Sequence, residues 1–315
     1  MKIMATAGKE ELAIVYIAEM RDGNLIEFVE ALQPPLPREE KWVLLVSTMY
    51  GCPVGCKMCD AGGFYHGKVA REDIFRQIDF LVRRRFPDGR IPSRQFKIQF
   101  ARMGEPSFNL DVLKVIAELP ERYEAPGFMP SISTVAPHGT RSFFEDLLEI
   151  KRERFSGGRF QFQFSIHTTD ERLRDKILPV KKWSFREMAE YGDRFFTPGD
   201  RKITLNFALA EGMPIDVKTL RAFFDPEKFL IKITPLNPTY SAFANNLVSF
   251  IDPYHPEKGY RLVEDLKNAG YQTLVSIGQV EENYIGSNCG QYVRRHLEVA
   301  QPLQEGYTYP IEYYS

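Results

Sequence analysis

The chain has 315 residues, with 41 Lys and Arg against 42 Asp and Glu and 43% hydrophobic residues. That content supports a sizeable core, and the near-neutral balance argues against a large phosphate-binding footprint, which is usually basic; DNA is not an expected partner. No apolar run reaches the length of a membrane span, and the N-terminus lacks the apolar stretch of a signal peptide, so no membrane association and a cytoplasmic, reducing location are expected.

Residues 12–20 are rich in β-branched and aromatic side chains, Asp22, Gly23 and Asn24 supply turn chemistry, and the apolar pattern resumes over 25–29; together they predict a β-hairpin. Residues 33–40 carry three prolines and predict a loop. A short apolar run over 42–47 predicts a strand that leads into Gly51-Cys-Pro-Val-Gly-Cys-Lys-Met-Cys-Asp. Apolar residues at 74, 75, 78, 81 and 82 have the 3.6-residue period of a helix over 71–85. Strands expected over 96–100, 131–135, 160–166, 203–209 and 229–234 then alternate with helices over 110–117, 141–151, 187–196 and 217–224. A helix over 260–269, closed by Gly270, and a strand over 272–277 follow, and the tail reads as irregular. Such alternation favours an α/β fold with parallel strands and helices outside. Six units between residues 42 and 234 predict a partial (β/α)6 barrel, with its site at the C-terminal ends of the strands. The expected organisation is an N-terminal β-hairpin extension over 1–41, the barrel over 42–300 and a C-terminal tail over 301–315.

The chemistry concentrates in Cys52, Cys56 and Cys59, spaced C-x3-C-x2-C. Three thiolates on one loop can hold three irons of a [4Fe–4S] cluster and leave the fourth iron open to a small molecule. A structural zinc site is the alternative, with His66 as the nearest fourth ligand. A disulfide framework is disfavoured, because only Cys289 remains and a chain of this size does not depend on staples. Gly104-Glu105-Pro106 follows an expected strand; the carboxylate can accept from an ammonium group, and the glycine lets a ligand approach the backbone. Taken alone, the tripeptide is a turn. Ser165-Ile166-His167 and Pro235-Leu236-Asn237-Pro238 end two further strands, where Asn237 offers an amide suited to a ribose or carboxylate, or forms an Asx turn. Cys289, between Asn288 and Gly290, is a candidate reactive thiol on a late loop; a buried structural cysteine is the plainer reading. The arginine and lysine groups at 83–85, 181–182 and 294–295 read as solvated helix ends or loops.

In this order the motifs resemble the radical S-adenosylmethionine (SAM) adenine-methylating enzymes of the RlmN/Cfr family, over roughly residues 15 to 291. The matching segments are Leu25-Ile-Glu-Phe-Val, the cysteine loop, Met103-Gly-Glu-Pro, Ile132-Ser-Thr, Phe164-Ser-Ile-His, Leu173-Arg-Asp-Lys-Ile-Leu-Pro-Val, Pro235-Leu-Asn-Pro and Cys289-Gly-Gln. The resemblance implies that Cys52, Cys56 and Cys59 ligate the cluster. It implies that Gly104, Glu105, Ser133, Ser165, Ile166, His167 and Asn237 contact S-adenosyl-L-methionine. Cys289 would take a methyl group and act as the one-carbon donor, and Glu27 stands where the family carries a proposed proton acceptor. A flavodoxin- or ferredoxin-like electron donor is implied as partner. Two departures are expected to matter. The family's second catalytic cysteine falls at Leu45, and the roughly forty residues before the barrel are too few for the family's N-terminal RNA-binding domain. The acceptor is therefore expected to be a small molecule or peptide. The alternatives are an RNA adenine methyltransferase with altered adduct resolution, or a stalled RNA-binding relative.

Overall fold

The computed structural model describes residues 1–299 and 301–314. The expected boundary at residue 300 and the end of the tail at residue 315 lie outside the described residues. Among the described residues thirteen strands form: β1 (Lys2–Lys9), β2 (Ala13–Glu19), β3 (Leu25–Ala31), β4 (Lys41–Val46), β5 (Met49–Gly51), β6 (Tyr65–Lys68), β7 (Gln95–Phe100), β8 (Phe128–Thr134), β9 (Gln161–Ser165), β10 (Ile203–Leu209), β11 (Phe229–Pro235), β12 (Thr273–Val275) and β13 (Ile311–Tyr313). All but β5 and β6 join one mixed sheet, in the order β12-β11-β10-β9-β8-β7-β4-β3-β2-β1-β13. From β4 to β12 every neighbour is parallel; from β4 through β3, β2 and β1 to β13 every neighbour is antiparallel. The α/β alternation read from the sequence is present, in a mixed sheet.

Period-two alternation gives the parallel strands two distinct faces. On β7, Phe96, Ile98 and Phe100 are buried with Ile74, Ile78 and Leu81 of the helix Arg71–Arg85, while Gln95, Lys97 and Gln99 take the opposite face. Trp42 of β4 stacks on Phe96 with ring centroids 5.1 Å apart. The helix Phe185–Phe195 starts in a capping box of Ser184 and Glu187, which satisfies two backbone donors reciprocally.

Several elements depart from the expected ones. The N-terminal segment is not a lone hairpin: β1 adds a strand, and the tail read as irregular supplies β13, which pairs with it. β1 carries three alanines or glycines among eight residues, and β13 has three residues in all, so neither shows a usable pattern. The helix expected to end at 117 runs over Asp111–Arg122, because Leu119 still adds to its buried face, with Pro120 in its last turn. The helix Glu171–Ile177, capped by the Asp170 side chain, was not anticipated. Among the described residues no helix is long and apolar enough to cross a membrane.

Candidate active site

The cysteine loop begins where β5 ends and is closed by β6. Gly51 has φ 82°, and a Cβ there would lie 2.0 Å from the Phe64 carbonyl oxygen, so only glycine permits the closure. The Cys52 N–H donates to that same oxygen at 3.1 Å. Cys52, Cys56 and Cys59 are half-buried, and the first two lie against Val54, Met58, Ile177 and Leu178. Backbone and side chains fasten the loop from below. The Lys57 N–H donates to the Ile177 carbonyl (2.9 Å), the Thr239 hydroxyl to that of Met58 (3.0 Å) and the Ser241 hydroxyl to that of Cys59 (3.1 Å). Asp60 is buried and accepts from the backbone N–H groups of Tyr240 (3.1 Å) and Ser241 (2.8 Å) and from the Tyr307 hydroxyl.

Burial pushes the Cys52 thiol up to about 11. Burial, then the neighbouring cysteines, push Cys56 and Cys59 higher still. Thiols so placed ionise when a metal takes the place of the proton, and soft sulfur donors select zinc or iron–sulfur clusters. No three His, Cys, Asp or Glu side chains among the described residues are grouped as ligands of one metal ion. His66 is exposed on β6, its ring 6.0 Å from that of Phe64. A cluster spreads its sulfur ligands over several irons, so three thiols without a fourth protein donor suit it better than tetrahedral zinc.

The residues expected at SAM lie at or just beyond the C-terminal ends of β7, β8, β9 and β11. Gly104 has φ 101°, and a Cβ there would meet the Met49 Cβ at 2.6 Å. Glu105 is buried and accepts from the Ser107 N–H (3.2 Å), the Ser107 hydroxyl (2.7 Å), the Thr134 hydroxyl and the Val135 N–H (3.0 Å). Three of these fall on Oε1, which leaves Oε2 room for one more donor. Burial pushes the Glu105 carboxyl up, and its hydrogen bonds pull it back. Ser133 and Ser165 are half-buried and Ile166 is buried. The Asn237 amide is already engaged, donating to the Cys289 carbonyl at 2.7 Å.

His167 has φ 66° and accepts at Nδ1 from the Ala208 N–H, 3.1 Å away, which fixes its proton on Nε2. Burial and then the Arg174 charge push it down to about 4. Its folded value lies below the unfolded one, so the unfolded chain binds the proton more readily. The contribution to stability is full above about pH 6.5 and is lost as pH falls toward 4, reaching about 2 kcal/mol at pH 5. Urea unfolding at pH 7.5 and pH 5 is expected to show this loss in the wild type and not in His167→Gln.

Cys289 is exposed, yet burial still pushes its thiol up, with Lys232 and Arg102 pulling it back. Both hold for a side chain that reaches solvent from within a concave mouth. Its loop rests on the cysteine loop: the Asp60 N–H donates to the Gly290 carbonyl at 2.8 Å, and a Cβ on Gly290 would lie 3.8 Å from the Cys59 Cα. Arg102 holds the other side. Its buried guanidinium donates to the carbonyls of Gly286 (2.8 Å), Ser287 (3.3 Å) and Asn288 (3.1 Å) and pairs with Glu27. Glu27 is fully buried and also accepts from the N–H groups of Val293 (3.3 Å) and Arg294 (3.2 Å). It therefore stands behind the Cys289 loop, enclosed by partners, rather than beside the thiol. Leu45 is buried, in register with Val29 and Gln99, within an apolar cluster that includes Val15.

Arg102 and Asp60 were not singled out from the sequence. The available signals were an arginine immediately before Met103-Gly104 and an aspartate immediately after Cys59; their partners are too distant in sequence to be read.

No family model matches the chain. Over 303 residues it is 26% identical to a Thermus thermophilus protein named probable dual-specificity RNA methyltransferase RlmN, covering 92% of this chain and 76% of that one. Over 287 residues it is 28% identical to the dual-specificity RNA methyltransferase RlmN of Syntrophobacter fumaroxidans, covering 89% and 76%. Its fold matches the crystal structure of a radical SAM methyltransferase from Sphaerobacter thermophilus with a TM-score of 0.67 at 20% identity, over 92% of this chain and 80% of that one. Over most of its length the chain is thus similar to RNA methyltransferases of the RlmN type, and its fold is that of a radical SAM methyltransferase.

Proposed function

We propose that this enzyme moves a one-carbon unit through Cys289 to an acceptor bound in the mouth of the parallel strands. The observation that carries the reading is the seat of Cys289: exposed, on a loop hydrogen-bonded to the cysteine loop through Asp60 and Gly290 and tied to Asn237. Cys52, Cys56 and Cys59 would hold the cluster. Gly104, Glu105, Ser133, Ser165, Ile166, His167 and Asn237 would hold SAM, with Glu105 Oε2 open to its ammonium. When bound, these cofactors supply a methyl group and, on reduction, a 5′-deoxyadenosyl radical. The Cys289 sulfur would take the methyl from SAM, leaving S-adenosylhomocysteine, and give its proton to solvent. Arg102 and Glu27 hold the thiol in place, and Glu27 fits that positioning role better than proton transfer.

The sheet is read as a partial barrel because Lys97 of β7 feels the charge of Lys232 of β11. In a flat sheet four strand spacings alone would set them about 19 Å apart sideways, with a further offset along the strands. A low-potential donor of the flavodoxin or ferredoxin type, in a reducing cytoplasm, would supply the electron. With Leu45 in place of a thiol, release from Cys289 calls for another base or an external thiol.

The acceptor is read as a small molecule or peptide. RNA methylation is the second reading, and the names of the curated relatives favour it. Anaerobic reconstitution with methyl-labelled SAM, followed by mass spectrometry of the peptide containing Cys289, tests the carrier. Label on Cys289 is expected, and none in Cys289→Ala with iron content unchanged. Wild-type Cys289 that stays unlabelled while deoxyadenosine forms would sink the reading.

A further inference from the structure

The face of the parallel strands opposite the helices is polar. Register puts Gln99 beside Ser131, Ser133 beside Gln163, Ser165 beside Asn206, and Asn206 beside Lys232, and alternation places Lys97 on the same side. Lys97 is only 8% exposed, and its ammonium has no hydrogen bond or ion pair with any described residue. Lys232 is half-buried and equally without a partner. Burial and then the like charges of Lys232, Lys41 and Arg201 lower Lys97; burial lowers Lys232, which also faces Cys289 and Lys41. On this face the Ser131 hydroxyl is buried with no partner. Of the buried carboxylates nearby, Glu27 is taken by Arg102 and Glu105 by Ser107, Thr134 and Val135.

Buried cations are ordinarily paired, and an unpaired one is costly. Two ammonium groups, an orphaned hydroxyl and the carboxamides of Gln99, Gln163 and Asn206 make a donor-rich face that lacks an anionic partner. We infer that this face binds the acidic group, carboxylate or phosphate, of a small acceptor whose reacting carbon is directed toward Cys289. At 8% exposure Lys97 suits a small acid better than the backbone phosphate of a folded polymer. The inference rests on the proposed function only for the role of Cys289; the anion site itself does not.

The test is the thermal midpoint of reconstituted holoenzyme titrated with inorganic phosphate, and in parallel with succinate, against potassium chloride at equal ionic strength. A ligand that binds only the native state raises the midpoint saturably. Such a rise is expected for the wild type and for Cys289→Ala, and it should be at least roughly tenfold weaker in apparent affinity in Lys97→Met and Lys232→Gln. The stronger of the two anions names the acidic group. Because Cys289→Ala cannot carry a methyl, its response separates failure of this site from failure of the carrier. Should a lysine variant not fold, acylation of wild-type Lys97 by an amine-reactive ester, slowed by the anion, reads the same contact. Equal responses in the wild type and both lysine variants, or none beyond chloride, overturn the site. A Lys97-dependent response to a short single-stranded RNA in place of either anion overturns the small-acid assignment.

Discussion

Replacing Arg102 by alanine is expected to cost about 3–5 kcal/mol of stability, the range for breaking a buried pair from one side. The Arg102 and Glu27 side chains are 1% and 0% exposed. Alanine leaves the Glu27 carboxylate buried without its cation, and it leaves the carbonyls of Gly286, Ser287 and Asn288 without their donor. Each orphaned acceptor carries a desolvation penalty larger than the net worth of the bond it lost. Urea unfolding reads the loss, and limited proteolysis is expected to cut at residues 286–290, whose anchor is gone. The double replacement Glu27→Gln with Arg102→Met removes both charges and should recover most of the stability, since a buried pair exchanged for neutral groups is often near neutral. It should not recover the methyl label on Cys289, because methionine offers no donors to the three carbonyls. Recovery of both stability and label would show that the pair serves charge balance alone. A cost below about 1 kcal/mol for Arg102→Ala, with an uncut loop, would remove the clamp altogether.

What was legible in the sequence was local. The C-x3-C-x2-C spacing, the 3.6-residue period over 71–85 and the strand–helix alternation each lie within a few turns of chain, and each is present in the fold. What was not legible depends on contacts across long separations. Arg102 reaches Asn288, 186 residues away; Asp60 meets Tyr307, 247 residues away; Asn237 meets Cys289, 52 residues away. The motif residues around Glu105 and Asn237 could be named, but not the fact that each is already hydrogen-bonded within the protein. Glu27 illustrates the same limit. Alternation along β3 marks it as facing away from the helices, but only the fold reveals that Arg102 and the Val293 and Arg294 N–H groups enclose it. Lys97 was invisible for the opposite reason: a lysine within a strand reads as a solvated position, and only the fold shows it buried.

Cys56→Ser is expected to abolish the cluster and with it all radical chemistry. A [4Fe–4S] cluster held by three thiolates has no spare protein ligand, and a serine hydroxyl is a hard, weakly acidic substitute for a soft thiolate. After anaerobic reconstitution the iron content should fall from about four per chain to below about one, and reductive formation of deoxyadenosine should fall by well over 100-fold. Loss of an outer-shell partner costs about 10–100-fold, and Asp60→Asn supplies that comparison. Its new NH2 would face either the Ser241 N–H or the Tyr240 N–H and Tyr307 hydroxyl, donor to donor, loosening the loop without removing a ligand. The fold should survive Cys56→Ser, since the loop is held through Lys57, Met58, Cys59 and Asp60 by backbone and carboxylate bonds that serine leaves intact. His66→Ala separates the two metal readings. His66 is exposed, with its ring turned to Phe64, so iron content should be unchanged. Loss of bound metal in His66→Ala, with zinc rather than iron in the wild type, would return the loop to a structural zinc site and remove the radical reading at its base.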